Sequence, residues 1–132
     1  MLYILAFLIS FVVVYLLIPP LGRLAFRLDF VDKPREGVER KLHREPIPLT
    51  ASYAIYLGFA TAYLLMAGWN GYETLAILAG GALLLFIGTV DDWYKSHGRD
   101  FPALPKALVQ VAAAVIVWLA GIEFAGFYNP FI

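Results

Sequence analysis

Residues 2–18, LYILAFLISFVVVYLLI, make a seventeen-residue run with no charge, in which thirteen positions are Leu, Ile, Val or Phe. At roughly −0.3 to −0.6 kcal/mol for each such residue at the centre of a membrane helix, the thirteen favour insertion by about 4 to 8 kcal/mol. The run predicts a membrane span. A cleaved signal peptide shares the apolar centre, but no Lys or Arg precedes this run, and Pro19-Pro20 stands where small residues would mark a cleavage site.

Three similar runs follow, over 51–67, 74–90 and 104–121, the last interrupted near its start by Lys106. Each is at the short end of the length that crosses about 30 Å of hydrocarbon, so snorkelling at the ends must make up the difference. The turn Gly68-Trp69-Asn70-Gly71-Tyr72 is long enough only to reverse direction, which predicts an antiparallel hairpin of the second and third spans. Composition agrees. Of 132 residues 61% are hydrophobic and 15% charged, against roughly 45–50% apolar usage in soluble domains. A soluble enzyme and a disordered segment are both disfavoured. With no cysteine there are no disulfides, thiolate nucleophiles or iron–sulfur clusters, and zero formal net charge supplies no field toward nucleic acid. The expected fold is therefore an all-α integral membrane protein of four transmembrane helices, with 1–132 a single transmembrane unit.

All ten cations fall in two places. Arg23, Arg27, Lys33, Arg35, Arg40, Lys41 and Arg44 lie between the first two spans, and Lys95, Arg99 and Lys106 follow the third. The positive-inside rule puts both charged loops in the cytoplasm and both termini outside. Of the ten acids only Glu73 and Glu123 fall on the outer side. Small residues on the third span, Ala76, Gly80 and Gly88, would let another helix approach closely. Tyr53, Tyr56 and Tyr63 on the second read as core or as the lining of a groove.

Asp91 and Asp92 follow Gly88-Thr89-Val90 at the cytoplasmic end of the third span. At a helix C-terminus two adjacent carboxylates repel the dipole and each other, so a positive partner is expected. Lys95, four residues beyond Asp91, would make an ordinary salt bridge. A divalent cation is the other candidate, because magnesium is commonly held by one or two carboxylates together with substrate phosphates. Arg40-Lys41-Leu42-His43-Arg44 adds a basic cluster suited either to phosphate or to anionic headgroups, and Pro46-Ile47-Pro48 leads extended backbone into the second span. Lys106 and Gln110 share a helix face. The lysine can snorkel or contact phosphate, and the amide, expected within the apolar layer, wants a partner.

Val31-Asp32-Lys33-Pro34, Arg40-Lys41-Leu42-His43, Pro46-Ile47-Pro48, Gly88-Thr89-Val90-Asp91-Asp92, Lys106 and Gln110, in this order and on one side of the membrane, resemble the polyprenyl-phosphate N-acetylhexosamine-1-phosphate transferases. The Arg-Lys-x-His stretch is most similar to the bacterial undecaprenyl-phosphate N-acetylglucosamine-1-phosphate transferase branch. The resemblance implies a magnesium-dependent enzyme (manganese could serve) of the bacterial cytoplasmic membrane. It would move N-acetylhexosamine 1-phosphate from a UDP-N-acetylhexosamine to undecaprenyl phosphate and release UMP, in cell-wall or surface polysaccharide synthesis. It assigns Asp91 and Asp92 to catalysis and metal, and Lys41, His43, Arg44 and Lys106 to phosphate or substrate.

The chain departs from the family where paired glycines usually open the second span and Ala51-Ser52 stands instead. Family members are larger, roughly ten-span proteins, and this sequence matches their N-terminal portion. Its expected partners are therefore the bilayer, the two substrates and a complementary C-terminal half or a second copy, and the chain alone is expected to be inactive. Two other readings are a non-catalytic membrane scaffold and a small four-span transporter subunit. Every charge but Lys106 lies outside the spans, which disfavours transport.

Overall fold

The computed structural model describes residues 1–33, 45–123 and 126. Four helices, α1 (Leu2–Arg27), α2 (Ala51–Ala67), α3 (Tyr72–Ser96) and α4 (Ala103–Leu119), account for about three-quarters of them. Between α1 and α2 the two-residue strands β1 (Val31–Asp32) and β2 (Ile47–Pro48) pair antiparallel, Val31 opposite Pro48 and Asp32 opposite Ile47. This ladder is an addition to the all-helical expectation. The prolines flanking Ile47 favour the extended backbone that β2 adopts. The ladder brings the two ends of the long charged loop together beside α1 and α3.

α1 and α3 have 26 and 25 residues, about 39 and 37 Å at 1.5 Å per residue, long and apolar enough to cross a bilayer. α2 and α4 have 17 residues each and are shorter apolar helices. α2 has the boundaries expected from its sequence. α1 does not stop at Ile18 but continues through Pro19 and Pro20 to Arg27. α3 likewise runs past Val90 to Ser96.

Most of the buried apolar residues are small, Ile87 and Val31 being the larger ones. Ala25, Ala54, Ala62, Ala76 and Ala113 are buried, and Thr74 is the largest fully buried side chain, whereas Phe7, Phe11, Tyr15, Leu65, Phe86 and Trp118 are exposed. A water-soluble core would be built the other way round. Small residues inside and large apolar ones outside suit helices whose large side chains meet lipid, and the chain is a membrane protein on that pattern.

Three glycines mark the three helix contacts. A Cβ on Gly58 would come 2.6 Å from Val14 of α1, one on Gly81 2.8 Å from the ring of Tyr56 in α2, and one on Gly80 3.1 Å from Val117 of α4. Gly80 thus admits a helix as its sequence suggested, and Ala76 is buried with it. Gly88 does not, since the position of its Cβ faces open space. The expected α2–α3 hairpin is present and is tied by two tyrosines. Tyr53 shares a 2.7 Å hydrogen bond with Thr89, and Tyr56 donates to the Leu78 carbonyl at 2.8 Å. Tyr63 stacks on Phe59 instead.

α3 ends in a Schellman turn: the Gly98 amide donates to the Lys95 carbonyl and the Arg99 amide to that of Tyr94. Gly98 has φ +75°, the left-handed geometry that this motif requires. The same pair of bonds ends α1, from Asp29 to Phe26 and from Phe30 to Ala25, with Asp29 at φ +53°.

Candidate functional site

Because α3 continues to Ser96, Asp91 and Asp92 lie inside the helix and not at its end, as the apolar run had suggested. Their backbone carbonyls are largely engaged within the helix, so the repulsion expected from the helix terminus is weaker than the sequence reading assumed. Adjacent helical residues point about 100° apart, so the two carboxylates serve different faces.

Asp91 faces α4 and is buried. Its Oδ2 accepts from Lys95 Nζ at 2.7 Å and from Lys106 Nζ at 2.8 Å. Two ammonium groups on one carboxylate oxygen offset the cost of taking that charge out of water. Lys106 therefore does more than snorkel. It sits in the first turn of α4, where the helix dipole disfavours a cation, and the Asp91 carboxylate compensates. Asp92 is more exposed and meets Lys95 only at 3.8 Å, an ion pair beyond hydrogen-bond length. Asp32 of β1 lies near enough for its charge to act on both Asp92 and Lys95. The sequence pattern left Asp32 out of the candidate site, although the prolines around Ile47 signalled the extended segment that pairs with it.

Asp91 and Asp92 are the residues here that could hold a magnesium ion, as one or two carboxylates commonly do. Asp92 offers carboxylate oxygens with acceptor capacity beyond the Lys95 pair, and on Asp91, where both lysine hydrogen bonds converge on Oδ2, Oδ1 keeps capacity as well. No group of three or more His, Asp or Glu residues among those described could hold a metal, so protein ligands alone would form an incomplete shell, as is common where phosphates complete it. Lys41, His43 and Arg44 lie outside the described residues. Gln110, expected to be buried with a partner, is exposed. The buried line of α4 runs through Ala113, while Val117 packs at Gly80.

Two apolar grooves of similar size flank the α1–α2 pair. One, of about 430 Å³, opens beside the charged cluster, between Leu21 and Leu24 of α1, Phe30, Tyr53 of α2, and Thr89 and Trp93 of α3. The other, of about 390 Å³, lies at the far end, near Leu2, Ala6, Phe59 and Met66.

Comparison with known proteins gives one consistent answer. The chain is 26% identical over 127 residues to a probable undecaprenyl-phosphate N-acetylglucosaminyl 1-phosphate transferase of Bacillus subtilis strain 168, matching 96% of this chain and 33% of that relative. It is 33% identical over 115 residues to a decaprenyl-phosphate N-acetylglucosaminephosphotransferase of Mycolicibacterium smegmatis, matching 81% of this chain and 26% of the relative. The similarly named Mycobacterium tuberculosis protein is 32% identical over 127 residues, matching 90% of this chain and 30% of its own length. No family model matches the chain, and no solved structure does. The resemblance carried by the sequence motifs is borne out: the chain is a homologue of the polyprenyl-phosphate N-acetylglucosamine-1-phosphate transferases and spans about a quarter to a third of their length.

Proposed function

We propose that the chain forms the acidic and cationic part of a sugar-phosphate transferase site, which moves N-acetylhexosamine 1-phosphate from a UDP-sugar to undecaprenyl phosphate and releases UMP. The observation that carries this reading is Asp91, fixed by lysines from two helices beside a more accessible Asp92, in a homologue of enzymes named for that chemistry. Phosphoryl transfer depends mainly on positioning and on neutralising charge.

In this reading Asp92 is the magnesium ligand, and Asp91 is a positioning residue that aims Lys95 and Lys106 at the phosphates. Bound magnesium would polarise phosphate oxygens. Lys41, His43 and Arg44, which belong by sequence to the loop between β1 and β2, would bind the pyrophosphate. The charged end faces the cytoplasm of a bacterial inner membrane, with both termini outside, which the confinement of all ten cations to two stretches of sequence, 23–44 and 95–106, supports.

The test is UMP release from UDP-N-acetylglucosamine with added undecaprenyl phosphate, in membranes of cells producing the chain from its native gene context. Release should require magnesium, vanish in Asp92→Asn and fall in Lys106→Gln. Unchanged turnover in Asp92→Asn would sink the proposal. The absence of cysteine permits a separate test of orientation. A single Cys at Asn70 should react with an impermeant maleimide from outside the cell, and one at Arg99 only after permeabilisation. The reverse pattern would invert the topology.

A further inference from the structure

We infer that the face of α1 turned away from the other helices binds an anionic phospholipid, whose headgroup phosphate lodges between Arg23 and Arg27; this site is independent of the transferase reading. α1 passes through Pro19 and Pro20 and carries both arginines beyond them. Four residues apart, they stand about 40° from each other around the helix and about 6 Å apart along it. Each is two residues from Ala25, the buried residue of α1, and so lies about 160° away from it. Arg23 is also nine residues from Val14, which packs against Gly58 of α2, so it points directly away from α2. Both arginines are exposed.

Charge sets this face apart. Lys33, Lys95 and Lys106 each meet an aspartate at 2.6–2.8 Å, whereas Arg23 and Arg27 have no carboxylate partner among the described residues. Like charges one turn apart destabilise a helix, so an anion between them removes a repulsion as well as adding an attraction. Guanidinium groups match phosphate oxygens with paired N–H donors. Depth and lining decide which phosphate. Counted from Leu2, Arg23 lies about 32 Å and Arg27 about 38 Å along α1. At a common helix tilt of about 20° these become about 30 and 35 Å of depth, which is the headgroup layer beyond about 30 Å of hydrocarbon. The groove at this face, of about 420 Å³, is lined by Pro20 and Leu24 as well as by the two arginines. Pro20, one turn nearer the hydrocarbon, offers an acyl chain a surface that a soluble phosphate would leave unused. The face opens toward bulk lipid, where a phospholipid is the phosphate at hand, and two uncompensated cations select a headgroup of net negative charge over a zwitterionic one.

The test is native mass spectrometry of the delipidated full chain in detergent, titrated with phosphatidylglycerol or with phosphatidylcholine. The wild type should hold phosphatidylglycerol more tightly. Arg23→Gln and Arg27→Gln, both at exposed positions and both to a good helix former, should each weaken phosphatidylglycerol binding about fivefold, and the double variant about thirtyfold, with phosphatidylcholine unchanged. Arg99→Gln, at an exposed cation between α3 and α4, should alter neither. Equal affinity of the wild type for the two lipids, or phosphatidylglycerol binding that survives the double variant, overturns the site. A loss in Arg99→Gln as large as in Arg23→Gln makes the effect one of overall charge and overturns the placement on α1. Two competitors at equal concentration identify the source of the phosphate. Neither inorganic phosphate nor farnesyl phosphate should displace phosphatidylglycerol. Displacement by the first would make the groove a soluble-anion site and by the second a carrier-lipid site, and either overturns the phospholipid assignment. UMP release is a separate readout, so failure here leaves the transferase reading standing.

Discussion

The α1–α2 contact and the α3–α4 contact are both helix pairs crossing at a glycine, but only one of them also carries charge. Between α1 and α2, Gly58 admits Val14 and the Ser10 backbone so closely that a Cβ would lie 2.6 Å from the valine methyl and 3.0 Å from the carbonyl oxygen. Between α3 and α4, Gly80 makes a looser contact, 3.1 Å to Val117, and the charged end is tied by Lys106 to Asp91 across 15 residues of sequence. Steric fit alone holds the first pair. The second trades some closeness for an ion pair, and that ion pair fixes the charges on which the proposed chemistry depends.

The sharpest way to break the comparison is Gly58→Leu. Overpacking a close contact costs about 1–3 kcal/mol, and this position should be at the upper end because backbone as well as side chain stands in the way. Unfolding in mixed micelles should shift by about 3 kcal/mol, with no change in magnesium or phosphate binding by the folded fraction. Full retention of stability would mean that α1 and α2 do not cross as closely as the structure shows.

Asp91→Asn attacks the other pair. The carboxylate is buried but both lysines are partly exposed, so the loss should be intermediate between a buried and a surface pair, about 1–2 kcal/mol. A double-mutant cycle with Lys106→Gln should give a coupling of roughly 1 kcal/mol, whereas Asp91→Asn with Gly58→Ala should be additive. Zero coupling in the first cycle would remove the ionic half of the comparison.

These contrasts also show what the sequence could reveal. α2 was legible at both ends because the prolines before it impose extended backbone and Gly68 follows it. The third apolar run ends at Val90 because Asp91 is charged, but a charge does not end a helix. The stop signal was Gly98, in the left-handed geometry of the Schellman turn. α1 outruns the apolar run that ends at Ile18, because the helix continues through Pro19-Pro20 and buries Ala25 beyond them. The Asp91–Lys95 pair follows from helical spacing. The Asp91–Lys106 bond does not, since it depends on where α4 starts after Pro102 and how it leans on α3.

Tyr53→Phe probes the contact between the two pairs. It removes the 2.7 Å hydrogen bond to Thr89, while the Thr89 hydroxyl can keep its bond to the Leu85 carbonyl, so about 1 kcal/mol should be lost. A loss equal to that of Gly58→Leu would mean that the helix pairs depend on each other more than their separate glycine contacts imply.

The smallest effect is expected from Asp29→Gly, and it separates backbone from charge at the end of α1. At φ +53° an aspartate occupies a conformation that glycine adopts with less steric cost. Against this gain stands the exposed pair with Lys33 at 2.6 Å, worth at most about 1 kcal/mol in such a setting. The two nearly cancel, so stability should change by less than about 0.5 kcal/mol, and added salt should destabilise the wild type relative to the variant. A large loss that salt does not alter would show that the Asp29 side chain supports the turn into β1 through something other than its charge, and would set a non-ionic support at the end of α1 against the ionic one at Asp91.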